Sequence, residues 1–209
     1  MLLLVSGVAL AAPFSHKLHM KLVPTCESCH ASVSGSTKAT DNNLPEAEAC
    51  GSCHQERTIS PPRVTSVTRF NHQKHMGLGQ LSPVILAAIR AGNYHASPLD
   101  ATPRAAIEAQ LGSLSASTAN AVCLACHHGM AESEAPSQAL YPNMPDCLAC
   151  HSKIEAPYSC ELCHTPGKHL QPASHTPDYI DRHSSGKLNL DKPSCVVCHG
   201  KNFPCQGCH

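Results

Sequence analysis

Cys26-Glu27-Ser28-Cys29-His30 is the first of seven copies of one pattern: two cysteines two residues apart, with a histidine directly after the second. The others occupy residues 50–54, 123–127, 147–151, 160–164, 195–199 and 205–209. Together they use all fourteen cysteines: Cys26, Cys29, Cys50, Cys53, Cys123, Cys126, Cys147, Cys150, Cys160, Cys163, Cys195, Cys198, Cys205 and Cys208. Cys-x-x-Cys-His is the attachment sequence of c-type haem. The two thiols add to the two vinyl groups of the porphyrin, and the histidine turns back onto the iron. Zinc sites and thiol-redox motifs also use Cys-x-x-Cys, but neither needs a histidine directly after it. A disulfide framework gives no reason for the uniform gap. The sequence therefore predicts seven covalently bound c-type haems. Their proximal iron ligands are His30, His54, His127, His151, His164, His199 and His209.

The rest of the composition suits such a chain. Its 209 residues include 3% aromatics and no tryptophan, and they are interrupted by seventeen prolines and twelve glycines. Aliphatic residues cluster only near the start and between Leu78 and Leu124. Seven porphyrins would supply the missing apolar bulk. The expected fold is mostly irregular with short α-helices wrapped around stacked haems, with little or no β-sheet. The apo-chain is expected to be largely unfolded, because its interior is its cofactor. The formal charge is zero, but each haem adds about one net negative charge when oxidised and about two when reduced, once its propionates ionise. The loaded molecule is thus acidic. It suits redox partner proteins with a basic face and excludes nucleic acid as a partner.

Residues 1–12 form an apolar run ending in Ala11-Ala12, like the core and cleavage site of a secretory signal. The run is too short to span a bilayer. A buried strand and a membrane anchor truncated at its start are the alternatives. Export is the favoured reading, because c-type haem is attached after export; the location is then periplasmic or extracellular. Beyond it, an internal repeat organises the chain. Phe14-Ser15-His16-Lys17-Leu18-His19-Met20 matches Phe70-Asn71-His72-Gln73-Lys74-His75-Met76, and each copy precedes two attachment motifs. A two-haem module is expected over residues 13–60, with Pro61-Pro62 as a break. A second spans residues 68–153, and a three-haem module spans 154–209. Eight residues separate His151 from Cys160, and five separate His199 from Cys205. Links this short predict one continuous haem-packed unit.

The second module carries an insert, residues 77–121, without a haem motif. Ser82-Pro83 opens a helix through Arg90, stopped by Gly92. Thr102-Pro103 opens another over residues 104–111, stopped by Gly112. A third begins near Ser117 and runs into Cys123. The insert reads as a cap over the haems, with a dimer or docking surface as the alternative. Thr176-Pro177-Asp178 starts a further short helix that carries His183.

Sixteen histidines are present, and nine lie outside the motifs: His16, His19, His72, His75, His95, His128, His169, His175 and His183. Seven irons with histidine on both faces need seven of them. His16 and His19 stand three apart, so one helical turn points both the same way, toward two different irons. His72 and His75 repeat that arrangement. His175 and His183 lie in the haem-dense segment. The seventh distal ligand is His169 or His128, with His95 ranked behind. Met20, Met76 and Met130 are softer candidates that read better as packing.

These features resemble the class III multihaem cytochromes c, the cytochrome c3/c7 group. The resemblance rests on Phe-x-His-x-x-His upstream of Cys-x-x-Cys-His, at Phe14–His19 and Phe70–His75, and covers the two halves locally. It implies that the two histidines of the element bind different haems. It also implies that a second histidine after the motif, as in His127-His128, ligates the next haem. Low-potential bis-histidine haems, a periplasmic home and electron transfer without bond chemistry follow from it. Seven haems, the helical insert and the absence of a lysine-rich composition depart from the small members.

The leading expectation is an electron-transfer conduit, an electron carrier rather than an enzyme. A multihaem reductase with one open iron and a subunit of an extracellular cytochrome filament are the alternatives. A membrane-associated redox complex or a homo-oligomer is compatible with each. The pyridine haemochrome of the purified protein should give seven haems per chain; a colourless polypeptide would overturn the reading.

Overall fold

Ser15 and Asn71 begin the two copies of the repeat in the same way. Each is a helix N-cap, and each side chain accepts a hydrogen bond from the amide three residues on: Leu18 N at 3.2 Å and Lys74 N at 2.8 Å. The helices they open are α1 (His16–His19) and α3 (His72–Met76). Helices this short are unstable alone. The caps contribute about 1 kcal/mol each, and docking against other segments supplies the rest.

A computed structural model describes residues 13–55, 67–95, 104–115, 118–137, 140–151, 160–167, 170, 175–187, 195 and 198–199. Its other α-helices are α2 (Ala47–Gly51), α4 (Ser82–Arg90), α5 (Arg104–Ser113), α6 (Ala121–Leu124), α7 (Met144–Leu148) and α8 (Tyr179–Ser184). Short 3-10 turns lie at Cys26–Ser28, Ala31–Gly35, Met130–Glu132 and Cys160–Leu162. Among the described residues the β-structure is a single bridge, Val67 to His164. The fold is thus helical and irregular, as expected.

The insert helices form with two adjustments. Helix α4 has Pro83 in its first turn and ends before Gly92, whose φ of 74° is the left-handed region that favours glycine. Helix α5 does not stop at Gly112 but runs through it to Ser113. One glycine costs a helix about 1 kcal/mol, which the burial of Ile107 and Leu111 on the same helix outweighs. The third helix starts at Ala121, after Asn120 in the left-handed conformation at φ 64°. Helix α8 carries His183.

An apolar core does exist in the described part, and the insert builds it. Ile85, Ile89, Tyr94, Ile107, Leu111 and Ala125 are buried together, with Cys126 and Ala149 packed against them. Ala125 and Cys126 belong to the third Cys-x-x-Cys-His motif and Ala149 to the fourth, so the insert is seated on two of the motif segments. A buried polar cluster ties the same parts. Tyr94 Oη donates to Asp146 Oδ1 at 2.7 Å, and His128 Nε2 lies 2.9 Å from that oxygen. Asp146 Oδ2 accepts from Asn143 N at 2.8 Å, closing a capping box at the start of α7.

The two repeats dock on each other reciprocally. Lys17 N donates to Ser133 O at 3.0 Å, and Gln73 N donates to Ser36 O at 3.0 Å. Lys17 and Gln73 each follow the first histidine of the repeat, and Ser36 and Ser133 each lie six residues after a motif histidine. The two serine amides also match, donating to Val33 O and Met130 O at 3.1 Å each. Each helix of the repeat therefore rests on the turn that follows the other repeat's first motif. Lys17 adds surface ion pairs to Glu134 at 3.2 Å and Glu132 at 3.9 Å, worth little because they are exposed.

Ile107→Ala should cost the holoprotein about 2–5 kcal/mol, as for other fully buried aliphatics. Tyr94→Phe should cost about 1.5–3 kcal/mol, the range for a hydrogen bond to a charged group. Thermal denaturation with the haem count held constant measures both.

Candidate haem-iron sites

The spacing of the attachment motif is the spacing of one helical turn. In the first five motifs the histidine amide donates to the carbonyl of the first cysteine, at 2.8 Å for His30, 2.9 Å for His54, His127 and His151, and 3.0 Å for His164. The second cysteine's amide donates to the same carbonyl at 3.1–3.3 Å. Side chains three and four positions apart share a face of such a turn, so both sulfurs and the imidazole address one side. The twelve described cysteines form no disulfide among themselves.

Hydrogen bonds then fix which imidazole nitrogen faces the iron. His30 Nδ1 lies 2.7 Å from Asn43 O and His127 Nδ1 3.0 Å from Leu140 O. Both acceptors stand thirteen residues after the histidine. His19 Nδ1 lies 2.7 Å from Ser15 O and His75 Nδ1 2.8 Å from Asn71 O. A carbonyl can only accept, so Nδ1 carries the proton and Nε2 keeps its lone pair for a metal. Phe14 and Phe70 hold the ring planes: each meets the first histidine edge-on at 4.9 and 4.7 Å and stacks on the second at 4.3 and 4.4 Å.

The decisive geometry is how the rings pair. His16 faces His30 with ring centres 6.5 Å apart, His19 faces His54 at 6.2 Å, His75 faces His151 at 6.2 Å and His175 faces His199 at 6.1 Å. Each pair joins one motif histidine to one histidine outside the motifs, and no ring is used twice. A metal–nitrogen bond of about 2.0–2.1 Å on each side puts two imidazole centres roughly 6 Å apart. The pairs therefore fit an iron held between them, with the sulfurs of the same motif at hand to fix a porphyrin.

His72 joins this set by position. Its pKa is lowered by burial first and then by a charge on His127, as that of His16 is lowered by burial and then by His30. His127 is likewise lowered by burial. All three are thereby held neutral, the form that binds metal. Ser36 Oγ stands 3.3 Å from His72 Nδ1, and Asn43 Nδ2 donates to the same hydroxyl at 3.1 Å. The loop carrying Ser36 is braced by Asp41, whose carboxylate accepts from the amides of Thr37 and Lys38 at 2.9 Å and titrates low for that reason. His16 Nδ1 is buried and has no hydrogen-bond partner.

The other candidates are placed differently. His128 is buried, with Nε2 turned to Asp146 and Nδ1 without a hydrogen-bond partner. His183 lies beside Tyr179 with ring centres 5.9 Å apart, and Tyr179 stacks on His175 at 4.4 Å. His164 Nδ1 is buried and has no hydrogen-bond partner. His95 ends the first described stretch of the insert, half-buried. His169, Cys205, Cys208 and His209 lie outside the described residues.

Neighbouring motifs come close enough for their thiols to interact. Cys26 and Cys123 are in side-chain hydrogen-bond contact, which raises the pKa of the first and lowers that of the second to about 7. Burial, then Asp146, then the thiols of the fourth motif push Cys126 up to about 12. Burial, Asp146 and Cys163 push Cys147 up to about 11. Burial and then Cys160 raise Cys198.

Residues 12–76 match the family model of cytochrome c7 and related cytochrome c. Over that stretch the chain is cytochrome c3/c7-like. The matched stretch takes in both copies of Phe-x-His-x-x-His and the first two motifs, and it ends where the insert begins. No curated protein and no solved structure matches the chain. Such a cytochrome holds covalently bound haem c and transfers electrons.

Two features of this cytochrome's sites escaped the sequence reading. One is the carbonyl that receives each proximal Nδ1–H, seven residues before the next motif in both repeats. The other is the cross-docking through Ser36 and Ser133. A signal for both was present: Cys26 to Cys50 and Cys123 to Cys147 are each 24 residues apart.

His75→Ala removes the ring facing His151. The holoprotein's EPR spectrum should lose one low-spin signal and gain one high-spin signal, with the other sites unchanged. An unaltered spectrum would refute the pairing.

Proposed function

We propose that the chain binds seven haems and works as an exported electron-transfer conduit. The observation that supports it best is the pairing of motif and non-motif histidines at 6.1–6.5 Å. His16, His19, His72, His75 and His175 would be the distal ligands opposite His30, His54, His127, His151 and His199. His169 and His183 then serve His164 and His209 in the third module. His128 is left to the Asp146 cluster, since its Nε2 is engaged there.

The bound group supplies a one-electron ferric–ferrous couple. The residues around it do the rest. Imidazoles on both faces leave no coordination position for a substrate, which suits outer-sphere transfer. The Nδ1–H donors to Asn43, Leu140, Ser15 and Asn71 carbonyls make the ligands more basic, favour the ferric state and so lower the potential. Phe14 and Phe70 fix the ring planes, so little reorganises when the charge changes.

Export is supported by the apolar start at residues 1–12 and by the chemistry of haem attachment. Among the described residues no helix is long and apolar enough to cross a membrane. The ionised propionates make the loaded protein acidic, so the redox partners are expected to present basic faces.

Low-temperature EPR of the oxidised protein should be low-spin throughout, and the reduced protein should bind no carbon monoxide. A high-spin signal with carbon monoxide binding would move the assignment to a multihaem reductase.

A further inference from the structure

We infer that the electron path through this chain does not follow motif order: it runs from the second site to the first, crosses from the first to the third where the two repeats meet, and continues through the fourth and fifth. The inference rests on the proposal that the motifs hold haem iron between paired histidines, and it adds the order in which neighbours exchange electrons.

The crossing follows from the reciprocal docking. The matched pair of contacts, Lys17 N to Ser133 O and Gln73 N to Ser36 O at 3.0 Å each, relates the two repeats by an approximate two-fold axis. Such an axis brings equivalent positions face to face. The first cysteines of motifs one and three are equivalent, and Cys26 and Cys123 touch. Asn120 clamps the same junction. It stands three residues before Cys123, its Oδ1 accepts from Cys26 N at 2.8 Å and its Nδ2 donates to Pro24 O at 2.6 Å. In the loaded protein both sulfurs are thioethers on the edge of a porphyrin, so their contact makes the two porphyrin edges adjacent.

The outer steps follow from the helices. His16 and His19 share α1, so the second site adjoins the first; His72 and His75 share α3, so the fourth adjoins the third. By the same two-fold relation the second and fourth sites stand in equivalent places on the two sides of the junction. The fifth joins at the fourth. Cys163 O accepts from Thr68 N at 2.9 Å and Arg69 N at 3.4 Å, just before Phe70, which stacks on His75 of the fourth site. The thiol of Cys163 also acts on that of Cys147. The second site is therefore a terminus of the described path.

Each step moves one electron from a ferrous site to the adjacent ferric site. The donor is oxidised, the acceptor is reduced, and no bond or proton changes hands.

Two measurements on the full holoprotein test the order. Anomalous scattering locates the irons of the wild-type protein: the iron attached through Cys26 should have two close neighbours, those attached through Cys50 and Cys123, and the iron at Cys50 only one. Sequential neighbours, with the second site between the first and third, would overturn the inference. The second measurement is a redox titration followed by NMR. His19→Met should shift the midpoint potential of one other site, and His16→Met should shift two; two shifted sites with His19→Met would overturn it. Asn120→Ala leaves every ligand in place and should keep the haem count and low-spin spectra while weakening exchange between the first and third sites. The two ideas fail differently: absent haem or open irons defeat the functional proposal, whereas seven low-spin haems in motif order defeat only the path.

Discussion

Imidazoles that face one another in pairs, a motif histidine against one from another segment, are the constraint on which the described part of this protein depends. Helices of four and five residues do not persist alone. Helices α1 and α3 are held by the partners of their histidines: His16 and His19 face His30 and His54, His75 faces His151, and His72 meets Ser36. Ser15 and Asn71 cap them, and Phe14 and Phe70 fix their rings. The capping, stacking and hydrogen-bond distances agree between the copies to within a few tenths of an ångström. Each copy therefore places two imidazoles on one short helix, held by the same cap and the same ring contacts.

The polypeptide by itself supplies little else. Among the described residues the buried apolar cluster sits in the insert, where Ile85, Ile107 and Leu111 pack beside the third and fourth motifs. The insert therefore acts as a local anvil for two attachment segments. The Tyr94–Asp146–His128 cluster joins it to them through buried polar contacts that a loosely attached cap would not need. The insert thus packs against the second repeat, whose histidine and phenylalanine geometry matches that of the first.

Much of the candidate site was legible because covalent chemistry demands it. Two thioethers and an adjacent ligand require Cys-x-x-Cys-His, and one helical turn requires histidines three apart. The repeated Phe-x-His-x-x-His disclosed the duplication and four candidate distal histidines, of which His16, His19 and His75 each face a motif histidine. Illegible features were those that depend on what lies across space. His128 has the sequence context of a ligand, yet a carboxylate eighteen residues on meets its Nε2. Gly112 has the context of a helix stop, yet buried neighbours carry α5 past it. The apolar residues of the insert are too scattered along the chain to announce a core before α4 and α5 meet.

The sequence by itself determined the local pattern: the seven Cys-x-x-Cys-His motifs, the histidines outside them and the two copies of Phe-x-His-x-x-His. These are properties of bonding and of the helical period, and both are local. Tertiary structure alone decided which imidazole faces which, which carbonyl takes each Nδ1 proton, and that the repeats exchange contacts through Ser36 and Ser133 so that their first motifs meet. Such choices compare packing free energies between segments a hundred residues apart, and no local pattern carries that comparison.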